Sequence, residues 1–440
     1  MARWSQSQYQ QVVHRGRMDG EYHSHDAKHL ENHLVNSRLT LVRLRDCCER
    51  ITSGHTPLRH DLSRGEVFFV TVECVSPLLI DYGLSKRVRK RHYVGELNRV
   101  ALTSECIVVT IKRRIAQASP CYGLRGETVV NQDVAVLRLR NGWNPGYIAA
   151  YLISKFGQQL ADRERTEQMN PYLPVSKLGN LLIPKIGIDA QHVVDDLIKL
   201  RFRCLAEAEK SYSEAQQLLE SELGLDKLSF RKPMGYTARF SELEKCLRTD
   251  SQHYQPRFTQ LLDHLSNFEC RRICDIRILN RRGLQPVYVQ NGTVGVVNSQ
   301  HLGPQHIDYD GLQKTSERVF ASSSEGHIRE NDLLIYTTGA YIGRTNAYLS
   351  SAPALASNHV NILRLIPGTD AAYMALVFQS VVGRFQTQKH GRGSAQAELY
   401  PADIDRFVVP LLDPSRQSAI GDLVRDSLEK QQQAKRLLEQ

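Results

Sequence analysis

The sequence lacks the motifs of the commonest nucleotide-binding and catalytic sites. It contains no GxGxxG, no GxxxxGKS/T and no GxSxG, so nothing in it predicts a dinucleotide site, a P-loop or a hydrolase nucleophile. Asn170-Pro171-Tyr172 lacks the second proline of the Asn-Pro-Pro-aromatic motif of base methyltransferases, and Pro171 suits a turn. We therefore predict no catalytic residue and do not expect the chain to be an enzyme.

Disulfide frameworks and membrane spans are also not indicated. The nine cysteines are an odd number without regular spacing and without a CxxC pair, which favours a reducing compartment. No apolar run approaches the roughly eighteen residues that a transmembrane helix needs. The first residues lack the apolar core of a signal peptide. These features predict a cytoplasmic protein.

The chain is long, basic and internally repeated. Its 440 residues exceed one ordinary domain core, and its net charge of +10 favours a polyanionic partner. The two halves align at a constant offset of 226 residues, which places Val134–Leu139 over Val360–Leu365 and Tyr147 over Tyr373. A repeat of this length predicts a duplicated domain with a pseudo-two-fold relation.

Each copy predicts the same mixed α/β (α+β) plan. β-Branched and aromatic runs predict strands, an amphipathic helix follows, and a short strand stopped by proline closes the copy. These segments are Val67–Val72, Ile107–Ile111, Leu333–Tyr336 and Val360–Leu365 as strands, about 145–160 and 371–386 as helices, and 178–184 and 404–410 as closing segments.

Each copy ends in a long polar helix, at about 189–223 and about 415–440. Apolar residues recur there at the three-four spacing of a coiled coil, with interruptions in the second helix. Because neither helix has enough apolar surface to be stable alone, we predict that the two pack against each other, antiparallel.

Positive charge is concentrated outside these helices. Residues 38–125 carry 16 Lys+Arg and 8 Asp+Glu, whereas residues 189–223 carry 4 and 8. The basic run 86–91 predicts phosphate contacts, with a solvated loop as the alternative. The turns at 112–114 and 337–339 follow matched strands, and the second of them is equally compatible with an ordinary turn. The candidate DNA-binding residues are Lys86, Arg87, Arg89, Lys90, Arg91, Lys112, Arg113, Arg114, Arg281, Arg282, Thr337, Thr338, Arg344, Lys389 and Arg392.

One histidine set has the spacing of a metal site. His25, His29 and His33 are four residues apart, so on a helix they share a face and could chelate zinc. The second copy retains only His264, so the duplicated fold does not need the set. A solvated helix face is the favoured interpretation, and we expect no metal.

Together these segments resemble the specificity subunit of type I restriction–modification systems. Leu44–Pro57 resembles the opening of a target recognition domain, and Asn331–Arg344 resembles its central strand and glycine turn. The segments 178–184 and 404–410 resemble its closing strand, with Gln191 and Gln417 near the start of the helix that follows. The first copy departs from the pattern because Lys112-Arg113-Arg114-Ile115-Ala116 replaces the glycine turn.

The resemblance implies two target recognition domains, each recognising half of a split DNA site. It also implies an antiparallel helical spacer that docks two modification (methyltransferase) subunits, with restriction (motor and nuclease) subunits as further partners. Methyl transfer and cleavage would belong to those chains, so S-adenosylmethionine is expected on them and no cofactor is expected here. The implied domains are an N-terminal helical extension (1–37), recognition domain 1 (38–188), spacer helix 1 (189–225), a helical lead-in (226–262), recognition domain 2 (263–414) and spacer helix 2 (415–440).

Two other functions remain open. A stand-alone DNA-binding or phage-defence accessory protein could have the same duplicated fold without a methyltransferase partner. A methyltransferase or nuclease with degenerate motifs is disfavoured by the missing Asn-Pro-Pro-aromatic motif. Gene neighbourhood separates the first two functions, and activity of the purified chain would separate the third.

Overall fold

The computed structural model describes residues 38–57, 65–166, 169–230, 233–393 and 397–439, with a few separate positions before residue 38. The chain forms two compact units, residues 1–206 with 433–440, and residues 207–432. Among the described residues, none of the helices combines the length and the apolar composition that crossing a membrane requires.

The first unit is built on an antiparallel main sheet, a smaller mixed sheet and a helical layer. Its described strands are Thr40–Arg43, Cys48–Ser53, Val67–Val70, Val75–Ser76, Leu79–Ile80, Lys86–Val88, Cys106–Thr110, Ala118–Pro120, Thr128–Val130, Val134–Leu139 and Leu182–Lys185. Its described α-helices are Leu44–Cys47, Lys90–Val94, Pro145–Ile153, Lys155–Glu164, Val175–Leu178 and the beginning of the first long helix, Ile188–Glu222.

The second unit repeats this plan. Its described strands are Cys270–Arg272, Arg277–Arg282, Val294–Val297, Gln313–Thr315, His327–Ile328, Leu333–Tyr336, Thr345–Ala347, Ala354–Ala356, Val360–Leu365 and Val408–Pro410. Its described α-helices are Phe240–Cys246, Pro256–Leu265, Ile273–Ile276, Glu317–Ser322, Ala371–Gln379, Val381–His390, Pro401–Ile404 and most of the second long helix, Pro414–Arg436.

The sheets of the two units have the same strand order. In the first unit the main sheet runs 48–53, 134–139, 106–110, 118–120, and in the second it runs 277–282, 360–365, 333–336, 345–347. A second sheet in each unit contains a parallel pair, 67–70 with 128–130 and 294–297 with 354–356. The tandem duplication that the sequence predicts is therefore confirmed at the level of topology. We call the α/β part of each unit its head.

The main sheet of each head is covered on both faces. Along the strand Cys106–Thr110, Ile107 and Val109 pack with helix residues such as Ile148, whereas Val108 packs toward the second sheet. This alternation follows from the two-residue period of a strand. All five residues of that strand are buried, which explains its unbroken apolar sequence.

Three local predictions from the sequence are wrong. The helices expected at 145–160 and 371–386 are each two helices, separated at Ser154 and Ser380. The side chains of these serines accept hydrogen bonds from the Gly157 N–H at 3.2 Å and the Val382 N–H at 3.1 Å in the helix that follows. Pro184 does not stop its strand but lies inside it, opposite Leu41. Proline is tolerated there because the sheet has only these two strands among the described residues, so each is an edge.

The two long helices run antiparallel where both belong to the second unit. Glu207 pairs with Lys430 at 3.1 Å, and Glu222 pairs with Arg416 at 3.4 Å. Residue numbers therefore rise along one helix as they fall along the other. This confirms the predicted antiparallel packing, in which the weakly apolar helices cover each other.

Candidate nucleic-acid interface

The basic run forms the edge strand Lys86–Val88 of the first head and the short helix Lys90–Val94 after it. The strand pairs antiparallel with Val67–Val70. Exposure falls along this strand, from the exposed Lys86 through the half-buried Arg87 to Val88, which is buried in the core. An edge strand with charged side chains also resists pairing with other chains.

Two of the five cations of the run have partners within the first head. The Arg87 guanidinium lies 3.5 Å from the centre of the Phe68 ring and donates to the Glu66 carbonyl oxygen at 3.2 Å. The Lys90 ammonium pairs with the Glu127 carboxylate. The Lys90 N–H donates to Glu66 Oε2 at 3.0 Å, which is the main reason that the pKa of Glu66 is lowered.

The other three cations point into solvent. Lys86, Arg89 and Arg91 are exposed, and none of them forms an ion pair within the described residues. Exposed cations of this kind can neutralise phosphates without first breaking an internal contact. We therefore regard these three as the strongest phosphate-contact candidates of the predicted run.

The predicted basic turn, 112–114, lies close to this run. Arg113 Nη1 is 3.0 Å from Glu73 Oε1, and Lys112 Nζ is 3.9 Å from Asp133 Oδ1. The pKa of Glu73 is lowered first by the hydrogen bond from the Thr71 hydroxyl and further by the positive charges of Arg113 and Lys86. The Glu73 carboxylate thus interacts with both the turn and the basic run.

The turn has a positive φ at the equivalent position in both copies, although only the second copy has a glycine there. Arg113 has a φ of +63°, and its equivalent at the 226-residue offset, Gly339, has a φ of +116°. A left-handed backbone costs an ordinary L-residue on the order of 1–2 kcal/mol. The Arg113 N–H donates to the Pro171 carbonyl oxygen at 2.9 Å, which holds the turn in place.

In the second head, the matched threonines are buried. Thr337 is fully buried and its hydroxyl donates to the His359 carbonyl oxygen at 3.0 Å, while Thr338 is 7% exposed. Tyr341, four residues after Thr337, is 59% exposed, and the Arg344 guanidinium lies 4.1 Å from the centre of its ring. The exposed part of this turn is therefore the tyrosine–arginine pair.

Two of the predicted arginines of the second head meet around one tyrosine. The guanidinium carbons of Arg282 and Arg392 lie 4.8 and 5.9 Å from the centre of the Tyr400 ring. Arg282 is 3.7 Å from the Glu398 carboxylate, and Arg392 donates to Asp403 Oδ1 at 2.7 Å. Sequence reasoning missed the tyrosine because it has no counterpart in the first copy.

The remaining predicted residues of this head are separate. Arg281 donates to the Ser324 carbonyl oxygen at 3.1 Å. Lys389 is half-buried, and desolvation lowers its pKa. Arg344 lines a cleft of about 670 Å³ together with Arg384, which sequence reasoning did not single out. Arg384 is exposed on the helix Val381–His390, and its basic character was the one available signal.

The predicted histidine set cannot be assembled from the described residues. His25 and His33 lie outside them, and His29 is exposed. Within the described part of the chain, no group of three His, Cys, Asp or Glu side chains has the geometry to hold a metal ion.

Each head is joined to its long helix by an equivalent glutamine. Gln191 Oε1 accepts from the Asn144 N–H at 3.2 Å, and Gln417 Oε1 accepts from the Asp370 N–H at 3.1 Å. The amide nitrogens of the two glutamines donate to carbonyl oxygens that are also equivalent, those of residues 186 and 412. The sequence alignment of the two copies had already matched these glutamines, and their contacts explain the match.

Comparison with known proteins gives structural similarities alone. No protein-family model matches the chain. No curated protein matches it either. Among solved structures, the S subunit of a type I restriction–modification system from M. genitalium aligns with 92% of this chain and 94% of its own, at 12% identity and a TM-score of 0.48.

Two further structures align over similar lengths. The HsdS subunit from Thermoanaerobacter tengcongensis aligns over 90% of both chains, at 13% identity and a TM-score of 0.28. A solved structure from work on complex assembly and conformational transition of the type I R-M system aligns with 91% of this chain and 94% of its own, at 14% identity and a TM-score of 0.31. All three are structures of type I restriction–modification proteins.

Proposed function

We propose that the chain is the DNA-recognition subunit of a type I restriction–modification complex. Each head recognises one half of a split, double-stranded site, and the long helices dock two modification subunits. The chain is not itself an enzyme. Methyl transfer and cleavage reside in partner chains, which bind S-adenosylmethionine, and no cofactor is held here.

The observation that carries the proposal is the pair of equivalent head-to-helix connections. Two heads of one topology each end in a long helix, and Gln191 and Gln417 make the same hydrogen bonds at both junctions. Joining two recognition modules makes the second binding event intramolecular, which raises the overall affinity. The first long helix has 35 residues and a length of about 52 Å, or about one and a half turns of duplex.

The charge distribution supports DNA as the ligand. Lys86, Arg89 and Arg91 are exposed without an ion pair among the described residues, while residues 189–223 carry a net negative charge. Phosphate contacts of this kind position a protein on DNA, and base-edge contacts by other side chains then supply specificity. The acidic long helix is accordingly assigned to protein partners.

The test is co-expression with candidate modification subunits, followed by genome-wide mapping of methylated adenine. The expected result is co-purification and one split motif with a fixed gap between its halves. A chain that neither co-purifies nor directs methylation would overturn the proposal, and DNA binding by that chain would then favour the stand-alone protein. Methylation by the purified chain with S-adenosylmethionine alone would instead make it an enzyme.

A further inference from the structure

A carboxylate stands at the same place in both head-to-helix junctions but comes from different positions in the two copies. We define the first joint as Asn144, Gly146, Asp195 and Lys199, and the second joint as their equivalents at the 226-residue offset, Asp370, Ala372, Gly421 and Arg425. In the first joint the carboxylate belongs to the long helix, and in the second it belongs to the loop before the helix Ala371–Gln379.

In the first joint, Asp195 reaches from the long helix to the head. Its side chain is buried, and Oδ1 accepts from the Gly146 N–H at 2.7 Å and from the Tyr122 hydroxyl at 2.5 Å. Its Oδ2 pairs with Lys199 Nζ at 2.7 Å. A carboxylate at the N-terminus of the helix Pro145–Ile153 satisfies backbone N–H groups that have no partner within the helix.

In the second joint, Asp370 does the same from the head side. Its Oδ1 accepts from the Tyr373 N–H at 2.9 Å and from Arg425 Nη1 at 3.2 Å, and its Oδ2 accepts from Arg425 Nη2 at 2.5 Å. Arg425 is the equivalent of Lys199, so the cation keeps its position on the long helix while the carboxylate changes sides.

In each joint the carboxylate lies against a glycine on the other side. A Cβ atom on Gly146 would lie 2.5 Å from Asp195 Oδ1, and a Cβ atom on Gly421 would lie 2.5 Å from Asp370 Oδ1. A larger residue at either glycine would therefore force the facing carboxylate to move from its observed position. Ala372 occupies the Gly146 position in the copy where the helix carboxylate is absent, which agrees with this steric limit.

We propose that the two joints are interchangeable devices that fix each head on its long helix and so set the gap length that the protein accepts in DNA. This inference rests on the proposed function, because the gap exists only if the heads recognise two half-sites. Asp195, Lys199, Asp370 and Arg425 are positioning residues, which act through the orientation of the head and not by contact with DNA. The cation and the carboxylate lie on opposite sides of the second joint, so rotation of its head would break their pair.

The test compares three variants of the full chain, co-expressed with the modification subunits. Asp370→Asn removes the charge that Arg425 binds. The triple variant Asp370→Asn/Ala372→Gly/Gly421→Asp rebuilds the first joint's arrangement in the second. Asp422→Asn is the control, because its carboxylate is 67% exposed and its contacts, with Ser418 and Arg425, lie within its own helix. Two quantities are measured, amide hydrogen exchange at residues 370–374 and methylation of sites whose gap is native or one base pair longer.

Asp370→Asn is expected to accelerate exchange at 370–374 and to lower the preference for the native gap by about tenfold. The triple variant is expected to restore both, and Asp422→Asn to change neither. An equal loss of methylation at both gap lengths would indicate a purely structural role and overturn the inference, as would an unchanged gap preference in a variant with faster exchange.

Failure of the proposed function and failure of the triple variant to fold give different results. If the unmodified chain directs no methylation, the proposed function fails, and the gap inference fails with it, while hydrogen exchange still reports whether the joint fixes the head. If the triple variant does not fold, the mirror variant Asn144→Asp/Gly146→Ala/Asp195→Gly builds the second arrangement in the first copy. Failure of the mirror variant to retain the native gap preference would overturn interchangeability.

Discussion

The Tyr373 hydroxyl donates a hydrogen bond to the Pro410 carbonyl oxygen at 3.0 Å, and Tyr147 makes the same bond to Pro184 at 2.5 Å in the other copy. Each bond joins the helix Pro145–Ile153, or its equivalent Ala371–Gln379, to the closing strand just before the long helix. Both tyrosines are buried, and burial raises the pKa of Tyr147 to about 12. Two distant parts of each copy are thus held together by one side chain.

Removal of this hydroxyl should destabilise the second unit. Tyr373→Phe leaves the buried Pro410 carbonyl without this donor, so we expect a loss of about 1–2 kcal/mol in the free energy of unfolding. Chemical denaturation followed by circular dichroism measures it. Tyr288→Phe is the matched control, because Tyr288 is 44% exposed and its change should stay within about 0.5 kcal/mol. Equal effects of the two substitutions would show that the Tyr373 bond contributes nothing.

The sequence predicted that these residues are equivalent in the two copies, but it did not predict which groups they contact. Alignment of the two copies matched Tyr147 with Tyr373 and Gln191 with Gln417, because identical residues stand at one offset. The partners are backbone carbonyl and N–H groups, which leave no trace in a sequence. The mixed α/β plan and the antiparallel helices were predictable because strand and coiled-coil periodicities are local properties.

The sequence did not predict the joints or the internal ion pairs, for a different reason. Asp195 aligns with Gly421, so a search for matched identities passes over the residues that exchange their roles. Lys90 looked equivalent to Lys86, but its partner Glu127 stands 37 residues away, after another strand. Which cations of a basic run remain available therefore depends on tertiary contacts.

The backbone at Arg113 gives a second prediction. Arg113→Ala and Arg113→Gly both remove the charge and its pairing with Glu73, but glycine alone adopts the positive φ of +63° without strain. We expect the glycine variant to be more stable than the alanine variant by about 1 kcal/mol in thermal or chemical unfolding. Gly339→Ala should lower the free energy of unfolding, because alanine is strained at the positive φ of this position. Equal stability of Arg113→Ala and Arg113→Gly would contradict a left-handed backbone at this position.

The basic run gives a third prediction, on DNA affinity. Alanine at Lys86, Arg89 and Arg91 should weaken binding to all duplex sequences alike and lower the slope of log affinity against log salt by about 3. Fluorescence anisotropy with duplexes at several salt concentrations measures both quantities.

The matched controls separate these cations from their neighbours. Lys90→Ala should have a smaller effect on the salt slope, because its ammonium already pairs with Glu127. Lys210→Ala, on the acidic first long helix, should leave DNA binding unchanged because Lys210 pairs with Glu214 at 3.7 Å. Loss of affinity at a single base position would argue that the run recognises a base and does not bind phosphates.

Acid should destabilise the second unit through a half-buried histidine, His306. His306 Nε2 is 3.1 Å from the Ser427 hydroxyl oxygen of the second long helix, and burial lowers the pKa of His306 to about 4. The folded state favours the neutral ring, whereas the unfolded chain takes up a proton near pH 6.5. Stability from this group is therefore complete above pH 6.5 and is lost as the pH falls toward 4, by about 3 kcal/mol at most.

The pH dependence of unfolding tests this assignment. His306→Asn cannot take up the proton, so the difference in unfolding free energy between the native chain and the variant should shrink between pH 7 and pH 4. His390, whose pKa burial and nearby cations lower to about 3, destabilises in the same direction but is present in both chains and cancels. His192→Asn is the control at an exposed position of the first long helix. Its difference in unfolding free energy from the native chain should stay constant between pH 7 and pH 4. A constant difference for His306→Asn would mean that His306 is protonated as readily in the folded chain as in the unfolded one, which its burial between head and helix would not allow.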